Sequence, residues 1–374
     1  MHLSDEQREL QRTVRRLLER SADSAALRKA VESEAGYDTD VWARLAAEVG
    51  VAALAVPEKY HGAGFSALES MLVMEELGRT LTPSPMLGSA VLATQALLFG
   101  GDADACTRLL PALAAGERTA ALAWVGPKGG WRPDSTAVTA CPTSADECSL
   151  TGRAHYVLGG DTADDLLVAA RTGHGVGLFV VPTDQDGLER EAVPGMDQTR
   201  RLCTVTLDHC AGRLLGDDGS GTAVLERVRD LACAALAMEQ VGAAARCLEM
   251  TVDYAKEREQ FGRPIGSFQA LKHRLADLYT LVQSARSAAY AAAWAGVDGS
   301  GDELAHWAAV AKAYCSEALF TVASEAVQMH GGIAITWEHD AQLYLKRAHG
   351  SVQLFGQPRT HVSRLGDAIL GPQG

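Results

Sequence analysis

Three segments of this 374-residue chain concentrate residue types that do chemistry. The first reads Arg258-Glu-Gln-Phe261-Gly262-Arg-Pro264-Ile265-Gly266-Ser-Phe268-Gln269, followed by Ala276-Asp277. The second reads Gln328-Met-His330-Gly331-Gly332-Ile-Ala-Ile-Thr336-Trp-Glu338. The third spans residues 57–64, from Pro57-Glu58 to Gly64, and is followed by Glu75-Glu76-Leu77-Gly78-Arg79. A guanidinium offers forked donors to an anion, and paired glycines let backbone approach a ligand. Plainer readings stand beside these: Arg258 as a solvated helix-end residue, and Gly331-Gly332 as a helix C-cap. Glu239 is the sole charge between Leu231 and Ala245. Its alanine-rich surroundings would suit a general base held in a dry pocket; equally, a buried carboxylate is ordinarily paired with an arginine or a backbone group. His330 and His349 read as surface or packing residues.

These segments must be held by regular elements. Residues 1–118 read as helical. Ser4 with Gln7 forms a capping box, and Leu3, Leu10, Val14, Leu17 and Leu18 repeat at helical spacing. A second helix is expected at 39–49 and a loop at 57–64. Ser66 caps the next helix, which runs to Gly78-Arg79, and another helical stretch follows the break at Pro83 and Pro85. Residues 119–222 change texture: short β-type runs at 120–125, 156–158, 165–170, 177–181 and 203–207 are punctuated by Gly, Pro, Asp and Thr. Without intervening helices, such runs predict a small antiparallel sheet or barrel. Residues 223–374 return to helix, at 224–257, 267–295, 303–328 and 337–349, with Pro358 opening a last one. Four mutually packed helices bury these faces most simply. The fold class is therefore α+β, mostly α: an N-terminal helical domain (1–118), a middle β domain (119–222) and a C-terminal helical bundle (223–374).

Composition narrows the function classes. The chain is 47% hydrophobic and 22% charged, which excludes intrinsic disorder. Aromatics are only 6%, and the abundant alanine favours closely packed helices. Lys+Arg 34 against Asp+Glu 47 gives −13, which argues against nucleic acid as a partner and against a polybasic membrane patch. The start MHLSDEQRELQ lacks signal-peptide features. The apolar stretch 231–245 is shorter than the ~20 residues that span a bilayer. The eight cysteines form neither C-x-x-C nor zinc-ligand spacing. They read as reduced thiols in the core of a cytoplasmic protein without a metal site.

In order and at these separations, the three segments resemble the acyl-CoA dehydrogenase family, and the resemblance covers essentially the whole chain. It implies an N-terminal helical domain, a middle β-barrel-like domain and a C-terminal four-helix bundle, usually assembled as dimers or dimers of dimers. It implies removal of the α and β hydrogens of an acyl-CoA thioester: a carboxylate takes the α proton and FAD accepts the β hydride. In this family FAD spans a subunit interface. Arg258 matches the arginine that pairs with the pyrophosphate. Phe261 and Gln269 match neighbours along the same cofactor, and Gln328, Gly331 and Gly332 match a second contact to its ADP half.

The chain departs from the family in two places. Where members carry a Thr-Glu-Pro-x-x-Gly-Ser-Asp-like segment lining the flavin, it reads Ala123-Trp124-Val125-Gly126-Pro127-Lys128-Gly129-Gly130-Trp131. The later flavin-facing segment reads His155-Tyr156-Val157-Leu158-Gly159-Gly160. Tyr156 or Trp124 could stack on a ring or serve as packing. At the two positions where family members place the base, register leads to Phe355 and to Ala232, with Cys233 in place of an adjacent arginine. Glu239 lies about two turns from Ala232 on the same helix face, ~10 Å away along the axis; Asp230 is nearer but points about 160° away. The leading reading is the non-base-bearing partner chain of a heterotetrameric (α2β2), steroid- or branched-acyl-CoA-type dehydrogenase, whose partners are the acyl-CoA substrate and a second dehydrogenase chain. The alternatives are a self-sufficient homodimer or homotetramer with Glu239 or Asp230 as displaced base, and a non-redox acyl-binding scaffold of the same fold.

Overall fold

The computed structural model describes residues 2–144, 146–297 and 301–371. Helix α1 (Asp5–Ser21) opens on the expected capping box: the Gln7 amide donates to the Ser4 hydroxyl (3.2 Å), and the Ser4 amide donates to the Gln7 side chain (2.9 Å). Helix α2 (Ser24–Glu32) follows. The 39–49 region is α3 (Thr39–Arg44), capped by Asp38, and widens into a π-helical turn (Leu45–Val49). Helix α4 (Ala67–Thr80) begins where Ser66 accepts from the Leu68 amide (3.2 Å). After the two prolines a second π-helical stretch (Met86–Ala93) leads into α5 (Thr94–Gly100) and α6 (Ala103–Ala114).

The β region has seven strands: β1 (Ala120–Ala123), β2 (Thr139–Pro142), β3 (Glu147–Leu158), β4 (Asp165–Thr172), β5 (Gly175–Pro182), β6 (Leu188–Val193) and β7 (Leu202–Leu215). The pairings β4–β2–β3–β7–β5–β4 close a ring. β1 shares an edge of β4 at residues 165–168, and β6 shares an edge of β7 at 202–207. The expected barrel is therefore present, but it is not purely antiparallel. The β2–β3 hairpin between β1 and β4 returns the chain in its first direction, so β1 runs parallel to β4, as does β2 at one register position. Strands β2 and β6 had not been expected. β6 reads Leu-Glu-Arg-Glu-Ala-Val and is largely exposed, so it lacks the apolar alternation that marks a half-buried strand. The barrel interior is filled by Leu150, Val157, Leu166, Val168, Phe179, Val181 and Val205.

The bundle comprises α7 (Gly221–Glu257), α8 (Gln269–Ala295), α9 (Gly301–His330), α10 (Ala341–Gln353) and α11 (Pro358–Leu370), close to the expected ranges. Although residues 231–245 alone are short, α7 as a whole is long and apolar enough to cross a membrane; 94% of its most apolar window is buried inside the protein, so this apolarity serves packing. Alanines carry the close contacts: Ala289, Ala292, Ala293, Ala308, Ala311 and Ala323 are all buried. The closest approach is between α4 and α7. A Cβ on Gly78 would sit 2.0 Å from the Glu239 carbonyl oxygen, and one on Gly242 would sit 1.9 Å from that of Glu75. The fold divides into two compact units, one of Met1–Val31, Met71–Pro83 and Cys233–Gly374, the other of Glu32–Ser70 and Ser84–Ala232.

Candidate cofactor site

Arg258 follows the last residue of α7, and its amide still closes the helix onto the Tyr254 carbonyl (2.8 Å). A two-stranded hairpin follows, β8 (Glu259–Gln260) with β9 (Arg263–Pro264). Its turn residues, Phe261 and Gly262, both have positive φ (54° and 72°), as a tight hairpin of this hand requires. Glycine takes that conformation freely; phenylalanine does not. Phe261 is moreover 92% exposed. Its nearest aromatic neighbour is Phe268, edge-on at 6.2 Å, while the Arg263 guanidinium lies 4.1 Å from the Phe268 ring centre. A strained backbone presenting an apolar ring to solvent is a feature of surfaces that meet something. Arg258 and Gln269, the first residue of α8, are exposed beside it.

The second expected segment lies at the end of α9. Gln328 is exposed, and the helix ends at His330. Gly331 has φ 68°, the left-handed conformation of a helix C-cap, so the capping reading holds for that residue. Gly332 needs no such conformation. A Cβ on either glycine would meet nothing within 4 Å, so packing within the chain demands neither, and both leave backbone open to approach. Ile333 (48% exposed) and Ile335 (74%) flank them in the turn Gly331–Ile335.

Tyr254, which sequence reasoning passed over, joins the two segments. Its hydroxyl donates to the His330 carbonyl (3.2 Å), and its ring stacks on the His330 imidazole at 4.4 Å. His330 is buried, as a packing residue should be, with Nδ1 donating to the Ala326 carbonyl (2.7 Å) and its ring 4.6 Å from that of His339. Burial lowers the pKa of His330, which favours the neutral imidazole. The available signal for Tyr254 was its place one helical turn before Arg258.

The two positions where the resemblance leads to a base, Phe355 and Ala232, carry side chains with no proton acceptor. Phe355 is buried with φ 58°, and its carbonyl, not its side chain, is the polar group in use: it is 3.0 Å from His361 Nε2. Cys233 Sγ lies 4.0 Å from that carbonyl and 3.9 Å from the same imidazole nitrogen. Ala232 is fully buried. Of the other carboxylates considered, Glu239 is 4% exposed and forms an ion pair with Arg347, itself 2% exposed. Asp230 is buried and pairs with Arg229 at 3.2 Å.

In the β region, Trp124 is buried and packs edge-on against Trp131 at 5.3 Å. Tyr156 sits where the β3–β7 register shifts, at φ 56°, with its ring facing Gly129. It is 39% exposed, so of these two aromatics it is the accessible one. Leu158 is buried. Among the described residues, no three His, Cys, Asp or Glu side chains gather in a group that could hold a metal ion.

Comparison with known proteins decides the family. Residues 4–117 match the acyl-CoA dehydrogenase N-terminal domain and residues 219–370 match its C-terminal domain. The chain belongs to the acyl-CoA dehydrogenase family. It is 42% identical to the acyl-CoA dehydrogenase IpdE2 of Mycolicibacterium smegmatis over 97% of this chain and 98% of that one. It is also 42% identical to IpdE2 of Mycobacterium tuberculosis, over 96% of each chain. Among solved structures, a variant of the Tcur3481-Tcur3483 steroid ACAD superposes with a TM-score of 0.89 at 33% identity, covering 98% of both chains. The ChsE4-ChsE5 complex from Mycobacterium tuberculosis superposes with a TM-score of 0.90 at 28% identity, covering 100% of this chain and 99% of that one.

As a member of this oxidoreductase family the chain is to be tested against FAD, the family's cofactor. The residues expected at the ADP half would fit it: an exposed arginine, an exposed aromatic ring and two glycines facing open space lie on segments joined through Tyr254. Of the two aromatics expected on the flavin side, Trp124 is buried, and Tyr156 is 39% exposed and carries a hydroxyl.

Proposed function

We propose that this chain is the non-base-bearing subunit of a heteromeric acyl-CoA dehydrogenase, and that it grips the ADP half of FAD shared with a second, base-bearing chain. One contrast carries the reading: the ADP-side residues are present and exposed, while Ala232 and Phe355 occupy both positions where the family places its base. Arg258 would direct its forked donors at the pyrophosphate. The backbone at Gly331 and Gly332 would approach the same half, with Gln328, Phe261 and Gln269 alongside. Bound FAD supplies the hydride acceptor for α,β-dehydrogenation of an acyl-CoA thioester. The α proton falls to a carboxylate of the second chain. The exposed Phe261, Ile333 and Ile335 suit coverage by that chain. The Tcur3481-Tcur3483 steroid ACAD and the ChsE4-ChsE5 complex among the similar structures favour an α2β2 complex acting on a steroid or branched acyl-CoA, and the free cysteines suit the cytoplasm. In the homomeric alternative, Glu239 would have to leave a buried arginine before it could act as a base.

The test is to purify the chain alone and co-expressed with a candidate second acyl-CoA dehydrogenase chain that carries the family's glutamate, then measure flavin by absorbance. The chain alone should be colourless, and the co-purified complex should carry about one FAD per two chains and oxidise acyl-CoA. A yellow chain purified alone, with one FAD per polypeptide, would overturn the proposal. A complex that binds acyl-CoA but no FAD would favour the scaffold reading.

A further inference from the structure

The turn that carries Gly331 and Gly332 is held at both ends by side chains remote in sequence. At its start stands the Tyr254 hydroxyl on the His330 carbonyl (3.2 Å). At its far end stands Arg28 of α2. Arg28 Nε and Nη2 both donate to the Trp337 carbonyl (3.1 and 2.6 Å). Its Nη1 donates to Asp340 Oδ1 (2.7 Å) and to the Ser24 carbonyl (3.0 Å). The Ser24 hydroxyl reinforces this by donating to the same Asp340 oxygen (2.7 Å). The Arg28 guanidinium also lies 5.5 Å from the centre of the Trp337 ring, which has Lys346 Nζ at 5.3 Å. Between the two anchors, the glycines face open space and both isoleucines are exposed.

Two adjacent glycines give a turn many conformations of similar energy. Only a fraction of an unanchored turn would have the shape that meets a ligand, and apparent affinity falls by that fraction. We propose that Arg28 and Tyr254 are positioning residues that preset the 331–336 turn for the dinucleotide; this rests on the reading that the turn grips the ADP half of FAD. On that reading neither residue touches the cofactor. Arg28 acts through Trp337 and Asp340, and Tyr254 through the His330 carbonyl.

The experiment compares Arg28→Met, Tyr254→Phe and Arg258→Ala in whichever assembly carries FAD. It follows amide hydrogen exchange at 331–336, the FAD dissociation constant by flavin fluorescence, and the thermal midpoint. Arg28→Met and Tyr254→Phe should speed exchange in the turn while the rest of the bundle stays protected, and should weaken FAD by about tenfold if the competent fraction drops to about one tenth. Arg28→Lys should recover part of the loss, because an ammonium can bond the Trp337 carbonyl or Asp340 but lacks the planar fork that serves both. Arg258→Ala should weaken FAD without changing exchange in the turn. If FAD affinity is unmoved by Arg28→Met and Tyr254→Phe while Arg258→Ala weakens it, the positioning role is wrong and the subunit reading stands. If Arg258→Ala is silent too, both fall. Unchanged exchange in the turn also overturns the proposal. Should Arg28→Met fail to fold, Tyr254→Phe decides, since it removes one hydroxyl and keeps the stacked ring.

Discussion

Glu239 and Arg347 pair inside the bundle with almost no exposed surface. Taking two charges out of water costs several kcal/mol each, and their mutual attraction roughly offsets that cost only while both are present. Removing one partner strands the other in a low-dielectric site. Glu239→Gln and Arg347→Met should therefore each lower unfolding stability by ~3–5 kcal/mol. The double substitution Glu239→Leu/Arg347→Met, which leaves no stranded charge, should recover most of that. Chemical denaturation of the four proteins gives the comparison. If Glu239→Gln abolished turnover with no loss of stability, Glu239 would be a base rather than half of an ion pair. The same logic explains why the residue drew attention: an isolated carboxylate in an alanine-rich stretch has the same sequence signature whether it is a base or a buried partner, because the partner is 108 positions away.

At the scale of elements, the α4–α7 crossing depends on two glycines facing each other's backbone. With Cβ positions 2.0 and 1.9 Å from carbonyl oxygens, Gly78→Ala or Gly242→Ala must push the helices apart. Overpacking of this kind costs about 1–3 kcal/mol. Because both substitutions relieve themselves by the same helix displacement, the double variant should cost less than the sum of the singles. Gly366 in α11 provides the control: a Cβ there meets nothing within 4 Å, so Gly366→Ala should stabilise by ~0.5–1 kcal/mol through helix propensity alone. Equal, additive effects at all three positions would refute the crossing argument. The helices themselves were legible because their signals are local: the Ser4–Gln7 capping box, the proline at 358 and the glycine after His330 all act within one turn. The π-helical turns at Leu45–Val49 and Met86–Ala93 were not, since a widened turn keeps the composition of an ordinary helix. β6 was missed because a polar, exposed strand loses the alternation that marks the others, and β2 because its four residues, with only Ala140 buried, are too few to show one.

Across the whole molecule, the sequence motifs singled out Arg258, Phe261, Gln328 and the glycine pair as candidates, but not the contacts that anchor the 331–336 turn: Tyr254 meets His330 across 76 positions and Arg28 meets Trp337 across 309. Spacing along a chain does not encode pairings of that length. The departures from the family pattern are likewise spread through the molecule. The segments expected on the flavin side, residues 123–131 and 155–160, lie with Ala232 in one compact unit, and Phe355 lies in the other. This distribution makes a strong prediction about repair. Phe355→Glu puts a carboxylate at one of the two expected base positions, but it places that group where the native side chain is 1% exposed, at φ 58°, on a turn whose carbonyl is bound by His361. Loss of the buried ring and burial of an unpartnered carboxyl should together destabilise the chain by about 3–5 kcal/mol. Residues 123–131 still lack the Thr-Glu-Pro-x-x-Gly-Ser-Asp-like sequence expected on the flavin side, so on the proposed reading the base would have no aligned hydride acceptor beside it. Phe355→Glu alone should therefore show no acyl-CoA-dependent dye reduction above background even with added FAD. Measurable turnover by that variant in the absence of a second chain would mean that one residue, rather than a distributed loss, separates this chain from a self-sufficient dehydrogenase, and would overturn the proposed subunit role.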